Sequence, residues 1–254
     1  MQLAITRDVS PDMAACELSF VDRAPIDVAL ARRQHQAYQR ALESLGCRVL
    51  SLPAEADLPD AVFVEDVALV FDEIAVMTRP GAESRRREGA SVADELGKYR
   101  ELRHIVAPGT IDGGDVLRLG RDVYVGDSAR SNADGVAQLR ALIAPYGYSV
   151  RSVPMRDCLH LKSAVTAVAD DTLLVHPGWV DTTVFAGYRL IEIDPGEEHA
   201  ANAVRAGQGI VYPDSFPRTQ ARLAAAGIAV TTVDVSELQK AEGAVTCCSL
   251  LFTA

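Results

Sequence analysis

Apolar residues between Asp27 and Leu45 recur at the three- and four-residue spacing that places side chains on one face of a helix. Asp27 is a favoured residue for capping a helix N-terminus, and Gly46 tolerates the left-handed conformation that ends many helices. The pattern therefore predicts a helix from Asp27 to Leu45. A strand-like run from Arg48 to Leu52 follows it.

The same order of elements recurs along the rest of the chain, where pairs of short apolar runs stand between helices. Paired runs joined by a few turn residues are typical of β-hairpins. We predict hairpins over residues 67–78, 116–125 and 165–175, helices over 84–96, 132–146, 181–186 and 219–226, and single strands over 104–106, 149–153, 191–193, 210–212, 228–233 and 245–252. The helices begin about every 40 to 57 residues, an interval that indicates a repeat of architecture.

The hairpins between the helices distinguish two fold classes. A doubly wound α/β sheet alternates single strands with helices, whereas a radial arrangement of small mixed sheets has a hairpin in each repeat. The sequence therefore favours an α/β fold of small mixed blades. No stretch rich in Pro, Ser and Gly divides the chain, so we expect a single domain over residues 1–254.

Composition and charge exclude several classes of function. The net charge is -10, and the run Arg85–Arg87 is too short to form the basic surface that nucleic-acid binding needs. The N-terminal residues lack the apolar core of a signal peptide, and no stretch is long and apolar enough to span a bilayer. We therefore expect a cytoplasmic protein that binds neither nucleic acid nor membranes.

The five cysteines are an odd number and are scattered along the chain, which favours free thiols over a disulfide framework. No Cys-x-x-Cys motif occurs, so a structural zinc site is not expected. Two of the cysteines, Cys247 and Cys248, are adjacent in a predicted strand. Consecutive strand residues face opposite sides, so one thiol is expected to point into the core and the other toward a site. The alternative is that both are small buried hydrophobic residues.

His160 lies between two leucines just before a predicted strand, and in an extended chain it would face away from both of them. Such a histidine can equally be an ordinary surface or core residue. His160 is a candidate catalytic residue because a histidine and a cysteine together can form a base and nucleophile pair. A thiolate is the nucleophilic form of cysteine, and an imidazole can hold or deliver the proton near neutral pH.

Two acidic segments can serve the same chemistry. In the first, Gly113 and Gly114 separate Asp112 from Asp115, which allows a tight turn and the close approach of another group; Asp112 is then placed to orient an imidazole. A plain turn is the alternative.

In the second acidic segment, Asp60, Glu65 and Asp66 stand among apolar residues, where carboxylates are costly to bury without a cation. A guanidinium ligand suits such a cluster, although a solvated strand end also explains it.

Arginines occur in two turn-like segments, residues 79–86 and 126–130. An arginine can bind a carboxylate through paired N–H groups, so Arg85 and Arg130 are candidates for holding the carboxylate of a substrate. Surface charge is the alternative explanation for both.

Taken together and in this order, the segments resemble one family, the dimethylarginine dimethylaminohydrolases of the guanidine-modifying, or pentein, superfamily. The resemblance extends over nearly the whole chain and is carried by residues 63–66, 79–86, 159–163, 200–202 and 242–250. It implies a five-bladed α/β propeller with the site on its axis. It also implies the hydrolysis of asymmetric dimethylarginine and monomethylarginine to citrulline and dimethylamine or methylamine.

The resemblance also implies a role for each candidate residue. Cys247 is the implied nucleophile, His160 the general acid and base, and Asp112 their acidic partner. The positions implied to contact the substrate are Leu18, Asp60, Phe63, Glu65, Asp66, Arg85, Arg130 and Ala241. The reaction needs no metal or organic cofactor, although Cys247 and His160 are zinc-ligand types and can capture zinc as an inhibitor.

Other functions remain open at this stage. A deiminase of free arginine would use the same residues, whereas a deiminase of an agmatine-like amine would not need Arg85 and Arg130. An amidinotransferase needs a site that excludes water and admits an acceptor amine. A non-catalytic binding module predicts loss of the cysteine, histidine and acid, which are all present. The sequence leaves open whether the chain forms a homo-oligomer.

Overall fold

Short strands and crossover helices account for most of the chain in the computed structural model, which describes residues 1–254. The strands are β1 (Gln2–Arg7), β2 (Arg48–Leu52), β3 (Ala68–Val70), β4 (Ile74–Met77), β5 (Glu101–His104), β6 (Val116–Leu119), β7 (Asp122–Asp127), β8 (Ser149–Pro154), β9 (Val165–Ala167), β10 (Thr172–Val175), β11 (Arg189–Glu192), β12 (Val204–Ala206), β13 (Gly209–Pro213), β14 (Thr231–Val233) and β15 (Leu250–Thr253). The α-helices are α1 (Val28–Ser44), α2 (Ala90–Leu96), α3 (Ala133–Ile143), α4 (Leu161–Ala164), α5 (Pro217–Ala225) and α6 (Ser236–Gln239).

The strands form five separate three-stranded sheets with one shared plan. Their orders are β15-β1-β2, β3-β4-β5, β6-β7-β8, β9-β10-β11 and β12-β13-β14. In each sheet the middle strand pairs antiparallel with the first strand and parallel with the third. A parallel pair needs a crossover connection. Helices α1, α2, α3 and α5 supply it in four sheets, and the 3-10 helix Thr182–Phe185 lies in the fifth crossover. The five sheets confirm the predicted repeat of small mixed blades.

The apolar core is divided into five clusters that lie between sheets and helices. Helix α3, for example, packs Leu139 and Ile143 against Val123 and Val125 of strand β7. The largest cluster joins α1 to the C-terminal segment through residues such as Tyr38 and Leu42. Strand β15 pairs with β1, so the two ends of the chain lie in one sheet. None of the helices combines the length and the hydropathy that a membrane-spanning segment requires.

Helix termini with strong local signals are confirmed. The Asp27 side chain accepts a hydrogen bond from Leu30 N at 2.9 Å, and Gly46 adopts φ +91° just after α1. Asn132 caps α3 by accepting from Gly135 N at 2.8 Å. These signals act within a few residues of the chain, so they do not depend on the rest of the fold.

Several predicted elements were wrong in extent or type. The helix over 84–96 is divided into the 3-10 helix Glu83–Arg87 and helix α2, and the strand expected at 104–106 ends at His104 as β5. The element at 181–186 is a 3-10 helix, and strands β1 and β12 were not predicted. The strand over 245–252 begins only at Leu250, because residues 245–248 form a turn.

Helix capping gives a test of these local signals. Asn132 bonds Thr110 N and Pro108 O at 3.0 Å in addition to its cap, whereas the Asp27 side chain bonds only Leu30 N. We expect Asp27→Ala to lower the free energy of unfolding by about 1 kcal/mol and Asn132→Ala by roughly 2 to 3 kcal/mol. Urea unfolding of both variants measures the difference, and equal losses would contradict it.

Candidate active site

The candidate site is built from short turns that occupy the same position in each repeat. Each is a turn or a single turn of helix just before the first strand of its sheet: residues 64–67 before β3, 112–115 before β6, 160–164 before β9, 200–203 before β12 and 245–248 before β15. This common position explains how residues far apart in the sequence come together.

Buried hydrogen bonds connect the five turns in a circuit. Asp66 Oδ1 accepts from Gly114 N at 2.9 Å, and Asp112 Oδ2 lies 3.1 Å from His160 Nε2. The carbonyl of Lys162 accepts from Asn202 Nδ2 at 2.9 Å. Asn202 Nδ2 also donates to Thr246 Oγ1 at 3.0 Å, and Thr246 Oγ1 donates to Glu65 Oε2 at 2.8 Å. The circuit thus returns to the turn in which it began.

His160 lies at the N-terminus of helix α4, not beside a strand as expected. Its backbone is extended, and Asp115 Oδ1 accepts from the next amide, Leu161 N, at 3.2 Å. The buried ring contacts two carboxylates: Nε2 lies 3.1 Å from Asp112 and Nδ1 lies 3.9 Å from Asp66. Burial acts to lower the pKa of His160, but Asp66, Asp115 and Asp112 outweigh it and raise the pKa to about 9.

The Gly113–Gly114 pair provides the close approach that the sequence predicted. A Cβ atom at Gly114 would collide with His160 Nδ1 and with Asp66 Oδ1, and one at Gly113 would collide with the carbonyl of Glu65. Only a residue without a side chain lets this turn touch both the imidazole and the carboxylate.

Asp66 is a buried carboxylate whose negative charge is compensated by neighbouring cations and by a backbone amide. Its Oδ2 accepts from Arg85 Nη1 at 2.7 Å, in addition to the Gly114 bond on Oδ1. Burial would raise the pKa of this carboxyl, but the charges of His160 and Arg85 hold it well below its usual range. A negative charge is thereby kept beside His160 at neutral pH.

Asp112 and Asp115 fix the turn between them through their own hydrogen bonds. Asp112 Oδ1 accepts from Gly81 N at 2.8 Å, which ties the turn to the loop after β4. Asp115 is completely buried, and its Oδ2 accepts from Ser128 at 2.5 Å and from Ser131 at 2.6 Å. Burial raises the pKa of Asp115 to about 6.

The cysteine pair behaves as predicted but for a different reason. Cys248 is completely buried in the core, whereas Cys247 is partly exposed and lines a cavity. The two residues lie in the 245–248 turn, so strand alternation does not separate them. The turn is fixed because Thr246 bonds Asn202 and Glu65. Burial, with Glu65 and Asp66 nearby, raises the pKa of the Cys247 thiol to about 12.

Most of the predicted site residues line one small cavity of about 20 Å³. Asp112 and Leu18 lie outside the cavity wall. Asp112 lies behind His160, and Leu18, which follows the wall residue Glu17, packs partly against the core. The predicted residues in the cavity wall are Asp60, Phe63, Asp66, Arg85, Arg130, His160, Ala241 and Cys247. Sequence reasoning did not select the other four wall residues, which are Glu17, Leu159, Glu242 and Gly243.

The two candidate carboxylate-binding arginines already have protein partners. Arg85 is buried and donates to Asp66 and to both carboxylate oxygens of Glu88. Arg130 donates to Ser19 Oγ at 3.0 Å and to Asp112 Oδ2 at 3.5 Å. Both line the cavity, so their contact with a substrate carboxylate stays a prediction.

Glu65 faces a different, larger cavity than the one that Cys247 lines. Its carboxylate accepts from Lys162 Nζ at 2.5 Å and from Thr246 Oγ1 at 2.8 Å. Its backbone amide donates to the carbonyl of Cys247 at 3.1 Å. Glu65 therefore supports the 245–248 turn from behind, and its contact with a guanidinium stays a prediction.

One group of residues has the spacing of a metal site. Ligand atoms of Asp66, Asp112 and His160 lie within 4.8 Å of one another. Each of the three already bonds a protein group, and Cys247 does not belong to the group. Zinc capture by Cys247 and His160 therefore stays a prediction.

Comparisons with known proteins agree with this geometry. A family model described as "N,N dimethylarginine dimethylhydrolase, eukaryotic" matches residues 19–194. The dimethylarginine dimethylaminohydrolase of Streptomyces coelicolor is 41% identical over 249 residues, which cover 97% of this chain and 95% of that protein. The corresponding protein of Pseudomonas aeruginosa is 37% identical over 228 residues, which cover 89% of this chain and 90% of that protein.

Solved structures give the same result. A mutant of the Pseudomonas aeruginosa protein in complex with citrulline superimposes with a TM-score of 0.93 at 34% identity, covering 98% of both chains. The five-sheet fold and the cysteine, histidine and carboxylates of the site place this chain among the guanidine-modifying α/β proteins. Within that class, the chain belongs to the dimethylarginine dimethylaminohydrolase family.

The raised pKa of His160 predicts a pH-dependent stability. The pKa of His160 in the folded protein, about 9, exceeds the ordinary value of 6.5. Protonated His160 therefore contributes fully to the free energy of unfolding below about pH 6.5, and this contribution is lost as the pH rises through about 9. We expect the stability advantage of wild type over His160→Gln to shrink by about 3 kcal/mol between about pH 6 and about pH 10. Urea unfolding across that range measures it, and parallel pH profiles would contradict the ion-pair geometry.

Proposed function

We propose that this chain hydrolyses asymmetric dimethylarginine and monomethylarginine to citrulline and dimethylamine or methylamine. The observation that carries the proposal is the ionised, buried Asp66 in the same cavity as Cys247 and His160. An anion held there can bind a guanidinium directly beside a thiol and an imidazole. Support comes from the relatives named above and from two solved structures: the Pseudomonas aeruginosa mutant in complex with citrulline, and a dimethylarginine dimethylaminohydrolase variant as an adduct with S-methyl-L-thiocitrulline.

The substrate has a cationic end and an amino-acid end, and the cavity wall has groups for both. Asp66 and Asp60 supply negative charge for the guanidinium, with Glu65 behind the 245–248 turn. Arg85 and Arg130 are the cations available for the substrate carboxylate. We assign further contacts to Leu18, Phe63 and Ala241, of which Phe63 and Ala241 form buried apolar wall.

The first half of the reaction depends on making a thiolate. With a pKa of about 12, the Cys247 thiol of the free protein is protonated at neutral pH, and His160, with a pKa of about 9, is protonated as well. A bound guanidinium brings a positive charge next to the thiol, which favours release of the thiol proton to bulk water and formation of the thiolate. The thiolate attacks the guanidinium carbon and forms a C–S bond, and His160 gives its proton to the departing amine.

The second half regenerates the thiol. His160, now neutral, removes a proton from a water molecule, which attacks the carbon of the S-alkylthiouronium intermediate. The C–S bond breaks, citrulline leaves, and Cys247 departs as a thiolate that is reprotonated. Asp112, at 3.1 Å from Nε2, fixes the ring orientation through both halves.

The remaining assignments follow from composition and form part of the proposal. We propose a cytoplasmic, single-domain enzyme whose partner is a small cationic substrate, with no nucleic-acid or membrane ligand. The net charge of -10 supports the exclusion of nucleic acid. No cofactor enters the proposed steps.

Citrulline formation tests the activity. We expect wild type to release citrulline from asymmetric dimethylarginine and monomethylarginine in the presence of a metal chelator. Cys247→Ser lowers the rate by at least ~1000-fold, because the nucleophile is lost. Cys47→Ser, which changes a buried cysteine outside the cavity, keeps the wild-type rate.

Each other outcome has a defined meaning. Preference for unmethylated arginine would assign the chain to the deiminases with the same site. No citrulline from the three substrates, with folded protein, would overturn the proposed activity and favour a transferase or a binding module.

Alkylation of Cys247 tests the high thiol pKa. We expect the rate with neutral iodoacetamide to keep increasing beyond about pH 9, because the thiolate fraction is still rising there. At neutral pH an amidinium-bearing alkylating agent reacts at least ~10-fold faster than iodoacetamide, since Asp66 attracts its charge, and Asp66→Asn removes this preference. An iodoacetamide rate that levels off near neutral pH would contradict a protonated resting thiol.

A further inference from the structure

Residues 17–21 form an irregular segment that is held against the cavity by polar contacts. Glu17 lines the cavity, and its amide donates to Asp60 Oδ2 at 3.0 Å. Ser19 Oγ accepts from Arg130 at 3.0 Å. The largest apolar side chain of the segment, Phe20, is 55% exposed and contributes little burial. The position of the segment therefore depends mainly on hydrogen bonds to the cavity wall.

Glu242 provides the densest group of these bonds. Its Oε1 accepts from three consecutive amides: Ser19 N at 2.9 Å, Phe20 N, and Val21 N at 2.8 Å. Hydrogen bonds to an ionised acceptor are about twice as strong as neutral ones. The other oxygen, Oε2, is buried and has no hydrogen-bond partner. All hydrogen bonds of the Glu242 carboxylate are thus made to residues 17–21.

The backbone of Glu242 adopts an unusual conformation that places the carboxylate there. Its φ is +57°, in the left-handed region that favours glycine or asparagine over glutamate. On either side of it, Ala241 and Gly243 line the cavity, so Glu242 lies between two wall residues. Lys240 Nζ reaches Pro25 O at 3.0 Å, which adds a second connection between the same two parts of the chain.

We propose that Glu242 is a positioning residue that fixes residues 17–21 against the active-site cavity and so sets the affinity for substrate. Through Ser19 the segment contacts Arg130, and through the amide of Glu17 it contacts Asp60, two residues assigned above to the substrate. Glu242 has no hydrogen bond to Cys247 or His160. Its removal therefore weakens substrate binding more than it slows the chemical steps.

Hydrogen exchange and steady-state kinetics of the variants Glu242→Gln and Glu242→Gly test the positioning role of Glu242. Glycine suits the positive φ, so that variant removes the acceptor without adding backbone strain. We expect exchange at the amides of Ser19, Phe20 and Val21 to accelerate by at least ~10-fold in the glycine variant and less in the glutamine variant. KM for asymmetric dimethylarginine rises by roughly 10-fold and kcat changes less than about twofold.

The matched control is Glu43→Gln, which makes the same charge change on an exposed position of α1. It leaves the exchange of residues 19–21 and KM at wild-type values. Unchanged exchange in both Glu242 variants, or a fall in kcat at constant KM, overturns the proposal. The KM part rests on the proposed function, whereas hydrogen exchange is measured on free protein. An inactive wild type with faster exchange in the variants would thus reject the activity and keep the structural role of Glu242.

Discussion

The buried charge of Asp66 is the constraint on which the rest of the site depends. A carboxylate without water must be paired, and Asp66 is paired by the guanidinium of Arg85, the amide of Gly114 and the imidazolium of His160. Each of these partners comes from a different segment of the chain. The segment around Arg85 forms a 3-10 helix instead of the helix predicted there, and this conformation buries the Arg85 side chain. The glycine turn approaches because it has no side chain. The pairing of one charge thus fixes three pieces of backbone around the cavity.

The same charge governs the chemistry. Asp66 helps to keep His160 protonated, and it also helps to keep the Cys247 thiol protonated, because a nearby anion opposes a thiolate. The free site therefore holds a protonated imidazole and a protonated thiol. A guanidinium bound at Asp66 neutralises the anion and removes part of the opposition to the thiolate. In the proposed mechanism, substrate binding and activation of Cys247 become one event, and we expect the free protein to react slowly with neutral electrophiles.

Local sequence signals predicted the parts of the molecule that local forces decide. The cap at Asp27, the left-handed Gly46 and the hairpins depend on neighbouring residues, and the repeat of hairpins and helices indicated the five-sheet plan. The errors lie where distant side chains compete with local preference. Residues 245–248 have strand-like composition, but bonds from Thr246 to Asn202 and Glu65 hold them in a turn. The role of Glu242 gave no sequence signal, because its three partners lie more than 200 residues earlier in the chain.

The position of the turns in the repeat explains why one site can draw on the whole chain. A turn just before the first strand of each sheet occurs five times, and the buried hydrogen bonds run from each such turn to another until they return to the first. No single repeat supplies the cysteine, the histidine and the acids of the site. Asp66, Asp112, His160, Asn202 and Cys247 come from five different repeats, and they meet only when all five sheets are in place. The sheets are stabilised by apolar packing between strands and helices, so the turns are free to carry polar residues. The cost of burying those polar groups is offset within the circuit, because each turn supplies the hydrogen-bond partners that another turn lacks.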